Sequence, residues 1–220
     1  MKQEDKMLII VEGDTDKHFI ESYCNYLSLK CEVFTSKGKD KSQKNENNGI
    51  QRVRQYIEKA LTKGERILII FDADDDKEKS LKNIHNQLDL LETSLKKQCE
   101  SSLDTILKEQ CEIFLIPNNQ DKGNLETLLE NIAKEKCILK CFDDYNKCIT
   151  RLQNQNSKIK LPEKKSKVFA YLSSFDIKID ENFQLNEDIW DLQNPYLDNL
   201  KNFLMQTTKN AKIKSKTKKP

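Results

Sequence analysis

The chain has 220 residues, of which 36% are apolar and 34% charged, enough for one full core with solvated elaborations and too little for two large domains. No apolar stretch approaches the roughly 20 residues needed to cross a bilayer, and the first residues lack the apolar run and cleavage site of a secretory signal, so a cytoplasmic protein without membrane partners is expected. The formal net charge of +2 hides an asymmetry: six lysines follow Thr208 with no acid among them, and removing them from the 38 basic residues leaves 32 against 36 acids, a mildly acidic body with a strongly basic end.

Met7 to Val11 is a continuous apolar run that stops at Glu12 and Gly13, the pattern of a strand buried on both faces followed by a loop. A helix is expected next, N-capped by Asp14 or Thr15, with Phe19, Ile20, Tyr23 and Leu27 on one face. A short strand at Cys31–Thr35 runs into a polar, glycine-bracketed loop, expected to be mobile, that carries Lys37, Lys39, Lys41 and Lys44. A second helix is predicted from about Ile50 to Thr62, ended by Gly64. Ile67 to Phe71 reads as the clearest strand and is followed at once by Asp72, Ala73, Asp74, Asp75 and Asp76.

Residues 77 to 116 contain neither glycine nor proline, and Leu81, Ile84, Leu88, Leu91 and Leu95 recur at helical spacing. A continuous helix of about 30 residues would be roughly 45 Å long, against the roughly 17 to 20 Å of an ordinary strand. The insertion 77–110 must therefore fold back near Ser101 and Ser102 as a packed helix pair, or project as a coiled-coil arm that could form a homodimer. A fourth strand, Cys111 to Ile116, ends at Pro117 and leads through a loop to a helix starting near Gly123. Further helical segments follow around Leu125–Glu135, Ile138–Leu152, Lys165–Ser174 and Pro195–Gln206, with Trp190 as an anchor for the last of them.

Short apolar strands alternating with helices predict an α/β fold, a Rossmann-like, mainly parallel four-stranded sheet flanked by helices, with a long helical insertion and a helical C-terminal extension. The expected organisation is an α/β domain over 1–136, the extension over 137–207 packed on it, and a disordered lysine-rich tail over 208–220. Seven cysteines without a Cys-x-x-Cys pair predict thiols packed as small apolar groups rather than disulfides. Cys137, Cys141 and Cys148 share a helix but lack a fourth ligand and a zinc-type spacing, and His18 and His85 read as helix-surface residues.

The chemistry lies in the placement of the acids. In an open parallel sheet the loops at the carboxyl ends of the strands form the ligand crevice. Glu12 follows the first strand, Asp72 and Asp74 the third, and the loop leading to Glu126 the fourth; Asp16 lies one helical turn beyond Glu12. Two such charges about 4 Å apart repel by roughly 4 kcal/mol at an effective dielectric near 20. Hard oxygen donors in that arrangement call for a divalent cation, Mg²⁺ or Mn²⁺, which uses one or two carboxylates, water and phosphate oxygens.

The segment Val11-Glu12-Gly13-Asp14-Thr15-Asp16 resembles the Glu-Gly motif of Toprim domains, and Phe71-Asp72-Ala73-Asp74-Asp75-Asp76 resembles their Asp-x-Asp motif, in the same order and after the corresponding strands. The resemblance covers about residues 7 to 130 and is closest to overcoming-lysogenisation-defect (OLD) nuclease domains and small stand-alone Toprim proteins. It implies metal ligation by Glu12, Asp16, Asp72, Asp74 and Glu126, with Glu12 as general acid or base. It also makes Lys167 a late catalytic lysine that stabilises the transition state. The activity implied is metal-dependent cleavage of DNA or RNA phosphodiesters, with Lys37, Lys39, Lys41 and Lys44 on the nucleic-acid backbone. The alternative is a non-catalytic binding module. OLD nucleases carry an ATPase domain, yet none of the five glycines here forms a Gly-x-x-x-x-Gly-Lys loop, so an ATPase would be a separate partner. A zinc ribbon and an assignable catalytic tyrosine are also missing, which argues against primase and topoisomerase activity. A haloacid-dehalogenase-like phosphatase also uses Asp-x-Asp, but there it follows the first strand of the fold and here it follows the third.

Overall fold

A computed structural model describes residues 6–37, 49–98, 107–180 and 183–206. The chain forms a four-stranded, all-parallel sheet in the order β2-β1-β3-β4, from β1 (Met7–Val11), β2 (Cys31–Thr35), β3 (Arg66–Asp72) and β4 (Cys111–Ile116). The helices are α1 (Asp14–Tyr26), α2 (Arg54–Lys63), α3 (Lys77–Gln98), α4 (Leu107–Gln110), α5 (Leu125–Ile132), α6 (Lys136–Gln155), α7 (Ser166–Ser173) and α8 (Asp198–Met205). The predicted α/β class is therefore the observed one, and every predicted strand is present.

The strands alternate between two cores, as a period of two requires. Ile9, Val11, Leu68, Ile70, Phe114 and Ile116 face one core, with Phe19, Ile20 and Tyr23 of α1 and Leu128 and Leu129 of α5. Leu8, Ile10, Ile67, Ile69, Phe71 and Leu115 face the other, with Ile57 and Ala60 of α2 and Ile84, Leu88, Leu91 and Leu95 of α3. The C-terminal extension belongs to the first core: Leu139, Val168, Tyr171, Trp190, Leu200 and Leu204 are buried there. Trp190 does act as an anchor, bridging Ala133 through the backbone and packing on Tyr171 with ring centroids 5.1 Å apart.

Local boundaries differ from the sequence reading at α1 and α2. Gly13, rather than Asp14 or Thr15, is the N-cap of α1, because its amide is taken by Asp16 Oδ2 at 2.9 Å, the reciprocal half of a capping box. The second predicted helix opens with a 3₁₀ turn over Gly49–Val53 before α2, where the Ile50 amide donates to Gln87 of α3 at 2.9 Å. In the insertion α3 packs rather than projects as an arm. Its four buried residues each gain about 1.5–3 kcal/mol by burial, far more than exposed helix pairs such as Glu92–Lys96 supply. After residues 99–106, outside the description, α4 returns alongside it, with the Leu107 amide on Glu92 at 3.2 Å and Lys108 on Asp89 at 2.8 Å. The expectation of buried thiols fails on α6, where Cys137, Cys141 and Cys148 are exposed, since α6 buries only Leu139.

Arg66, buried at the start of β3, holds the end of the chain. Its guanidinium makes a two-point bond to Glu112 at 2.8 and 2.9 Å and donates to the carbonyls of Phe203, Leu204 and Gln206 at 3.1, 3.3 and 2.5 Å, satisfying carbonyls that the last turn of α8 leaves open. Arg66→Ala should lower the unfolding free energy by about 3 kcal/mol, and Glu112→Gln, at the half-exposed end of the pair, by about 1 kcal/mol. Urea denaturation followed by circular dichroism checks both values and their order.

Candidate metal centre at the carboxyl edge of the sheet

β1 and β3 run parallel in register, Val11 opposite Ile70, so the first polar residues past each strand arrive at one edge. Glu12 Oε1 accepts the backbone N–H of Asp72 at 3.3 Å. The Asp72 carboxylate reaches across to the fourth strand's connection, where its Oδ1 accepts the Leu125 N–H at 3.1 Å. Leu125 begins α5, so a carboxylate sits at the positive end of a helix, where it is favoured. Asn124 caps the same helix, accepting the Thr127 N–H at 3.1 Å. Glu126, in the first turn of α5, is only 7% exposed. After β4 the chain passes a cis Ile116–Pro117 bond and returns to Asp74, whose carbonyl accepts the Gly123 N–H at 2.8 Å. Asp74 is left-handed, at φ 53°, a conformation that aspartate tolerates better than most residues, and its side chain is exposed.

Electrostatics confirm that these acids share one field. Burial pushes Asp72 up to about 8, and the charges of Asp16, Glu12, Glu126 and Asp74 push in the same direction. Burial also raises Asp16, to about 6, with Glu12 and Glu126 adding to it, while the Gly13 N–H and Lys165 pull it back. Two lysines answer part of this charge. Lys37, just past β2, is ion-paired with Glu12, and Lys165, at the start of α7, lies 3.7 Å from Glu126.

The remaining predicted site residues distribute unevenly. Lys167 is not turned to these acids: its ammonium is paired with Glu130 at 3.0 Å and Asp143 at 2.8 Å. The lysine that meets the acidic edge is its neighbour Lys165, which the sequence reading missed; one helical turn carries about 3.6 residues, so a two-residue offset swings a side chain to the far side. Lys39, Lys41, Lys44 and the tail 208–220 lie outside the described residues. Asp75 pairs with Lys164 at 3.5 Å, and Asp76 caps α3 through the Lys79 N–H at 3.0 Å.

Among the described residues no three acid, histidine or cysteine side chains form a ready ligand cluster. Their oxygens are turned instead to N–H groups and to Lys37 and Lys165. The donor set nonetheless fits a hard divalent cation. Magnesium needs only one or two carboxylates, water completing its sphere, and Asp72 lies among four other acids with a proton held well above the usual carboxylate range. Glu12, Asp16, Asp72 and Glu126 are the residues able to hold it, with Asp74 at the exposed rim.

Raised carboxylates bind more protons folded than unfolded, so their contribution to stability is complete below about pH 4 and is lost as pH rises through their folded values. With chelator present, the melting temperature should therefore fall between about pH 4 and pH 6 through Asp16 and continue to fall to about pH 8 through Asp72. Asp72→Asn should flatten the upper part of that profile in scanning fluorimetry; an unchanged slope between pH 6 and 8 would contradict the assignment.

No curated protein and no solved structure matches this sequence. A family model described as "Protein of unknown function (DUF3226)" matches residues 6–209, a span that takes in the whole sheet, the acidic edge and the C-terminal extension, and the chain belongs to that family.

Proposed function

We propose that this protein is a Toprim-like, divalent-metal-dependent nuclease, or a closely related phosphoryl-transfer enzyme, acting on DNA or RNA phosphodiesters with Mg²⁺ or Mn²⁺. The observation that carries the reading is the shared field of Glu12, Asp16, Asp72, Asp74 and Glu126 at the carboxyl ends of β1, β3 and β4. Five acids face two lysines there, burial and mutual repulsion raise Asp16 and Asp72, and a dication would relieve the repulsion that the two lysines leave. A divalent ion at this edge supplies Lewis acidity toward a phosphate oxygen and toward water.

The chain's own residues divide the remaining work. Asp72 and Asp16, raised to about 8 and about 6 by burial and mutual repulsion, would hold the ion as carboxylates. Glu12 is the residue placed to take or deliver a proton, because its carboxylate is oriented by the Asp72 N–H and by Lys37 rather than locked in the core. Lys37, paired with Glu12, and Lys165, beside Glu126, are the cations able to meet a phosphate backbone, which they would hold without reading sequence. Lys167 takes no part in this scheme while Glu130 and Asp143 hold it.

A second reading is a non-catalytic module that binds metal or nucleic acid and docks a separate ATPase. The pairing of Glu12 with Lys37 and of Glu126 with Lys165 favours it, since both acids already have a counter-charge. Turnover decides between the two. Purified protein should cleave plasmid or single-stranded nucleic acid in Mn²⁺ and not in chelator, and Glu12→Gln or Asp72→Asn should each reduce the rate by about 100-fold or more. Manganese should also raise the melting temperature of the wild type and not of Asp72→Asn. Cleavage that survives both substitutions sinks the enzyme reading; a manganese-dependent shift with no cleavage establishes the binding module.

A further inference from the structure

The helix α6 is 20 residues long, yet it buries only Leu139, because the body of the protein meets one flank of it. On that flank Asp143 pairs with Lys167 of α7 at 2.8 Å, and the Gln153 side chain donates to the Ile159 carbonyl at 3.0 Å. A neighbouring face is left open. Ile138, Phe142, Tyr145, Ile149 and Leu152 follow one another at intervals of four, three, four and three residues, which at 3.6 residues per turn places all five within about 80° of arc. Ile138 is partly held by the first core, whereas Tyr145 is 51% and Leu152 42% exposed. The Phe142 and Tyr145 rings pack on each other with centroids 5.7 Å apart.

The charges of α6 are arranged to the same effect. Lys136, Lys140, Asp143, Asp144, Lys147 and Arg151 all fall on the side away from this seam; the positions bordering it are Cys141 and Cys148 on one edge and Asn146 and Gln153 on the other. Single apolar residues on a surface need no explanation. A stripe free of charge along about 21 Å of helix is the arrangement of a helix that packs on another. The alternation of four and three is the spacing by which two like helices mesh side by side at a shallow angle. Nothing in the stripe repels an identical stripe, and no charge in it or at its borders selects a charged partner instead.

We propose that α6 pairs with α6 of a second copy of this chain, forming a two-fold symmetric homodimer whose contact is the seam from Ile138 to Leu152. A two-fold contact uses the same patch on both subunits and so must be self-complementary, which an uncharged apolar stripe is. The seam of α3, which also has helical spacing, is unavailable because the sheet already buries it. About 21 Å of a helix about 10 Å wide is a small contact beside the roughly 800 Å² per partner of a stable interface, so the dimer forms in the micromolar range.

The test is sedimentation equilibrium of the full-length protein in dithiothreitol, from about 1 to 100 µM. The wild-type mass should rise with concentration from 25.8 kDa to twice that value. Tyr145→Lys with Leu152→Lys, at exposed positions, should stay monomeric with an unchanged circular dichroism spectrum. Leu90→Lys, on α3 and 64% exposed, should dimerise as the wild type does. A wild type that remains monomeric at 100 µM, or a dimer that survives the double substitution, would overturn the proposal. Should the double variant fail to fold, alkylation of the exposed Cys141 and Cys148 in the wild type decides. Their rate should fall as the protein is concentrated through the dimer range, and a constant rate contradicts pairing through this face.

Discussion

The parallel register of β1 and β3 is the constraint on which the rest depends. Both strands are apolar along nearly their whole length because both faces of the sheet are covered, and parallel pairing sets Val11 opposite Ile70. The first residue of each strand that escapes the core is then acidic, and the two emerge side by side. A slip of one residue would exchange the two core faces of a strand at once, so the hydrophobic pattern that fixes the register also fixes the separation of Glu12 from Asp72. Concentrating charge in this way is unfavourable for the fold taken alone. It is tolerated because α5 presents its N-terminus to Asp72, Gly13 offers its amide to Asp16, and two lysines approach from β2 and α7.

The C-terminal extension is part of this arrangement. Its residues complete the core beneath α1 and α5, and Arg66 fastens its last helix to the starts of β3 and β4. Through α7 it also delivers Lys165 to Glu126 and withholds Lys167. The family match, from residue 6 to 209, spans both the sheet that gathers the acids and the helices that partly answer their charge.

The sequence by itself determined the strands, the α/β class and the identity of the acids, because buried parallel strands must be continuous apolar runs and the residue that ends such a run must face the loop side. It also marked α3 as helical. What it did not determine follows from interactions between residues far apart in the chain. The seam Ile84–Leu88–Leu91–Leu95 suits an arm as well as a packed helix until the opposite sheet face and α2 are in place to bury it. The choice of Lys165 over Lys167 depends on the rotation of α7 about its axis, set by Val168 and Tyr171 entering the core. The role of Asp72 as the acceptor for Leu125, 53 residues on, has no periodic signature, since it arises from how α5 docks on the sheet. Local apolar pattern encodes elements and edges; which polar groups meet there is decided only by the packing that closes around them.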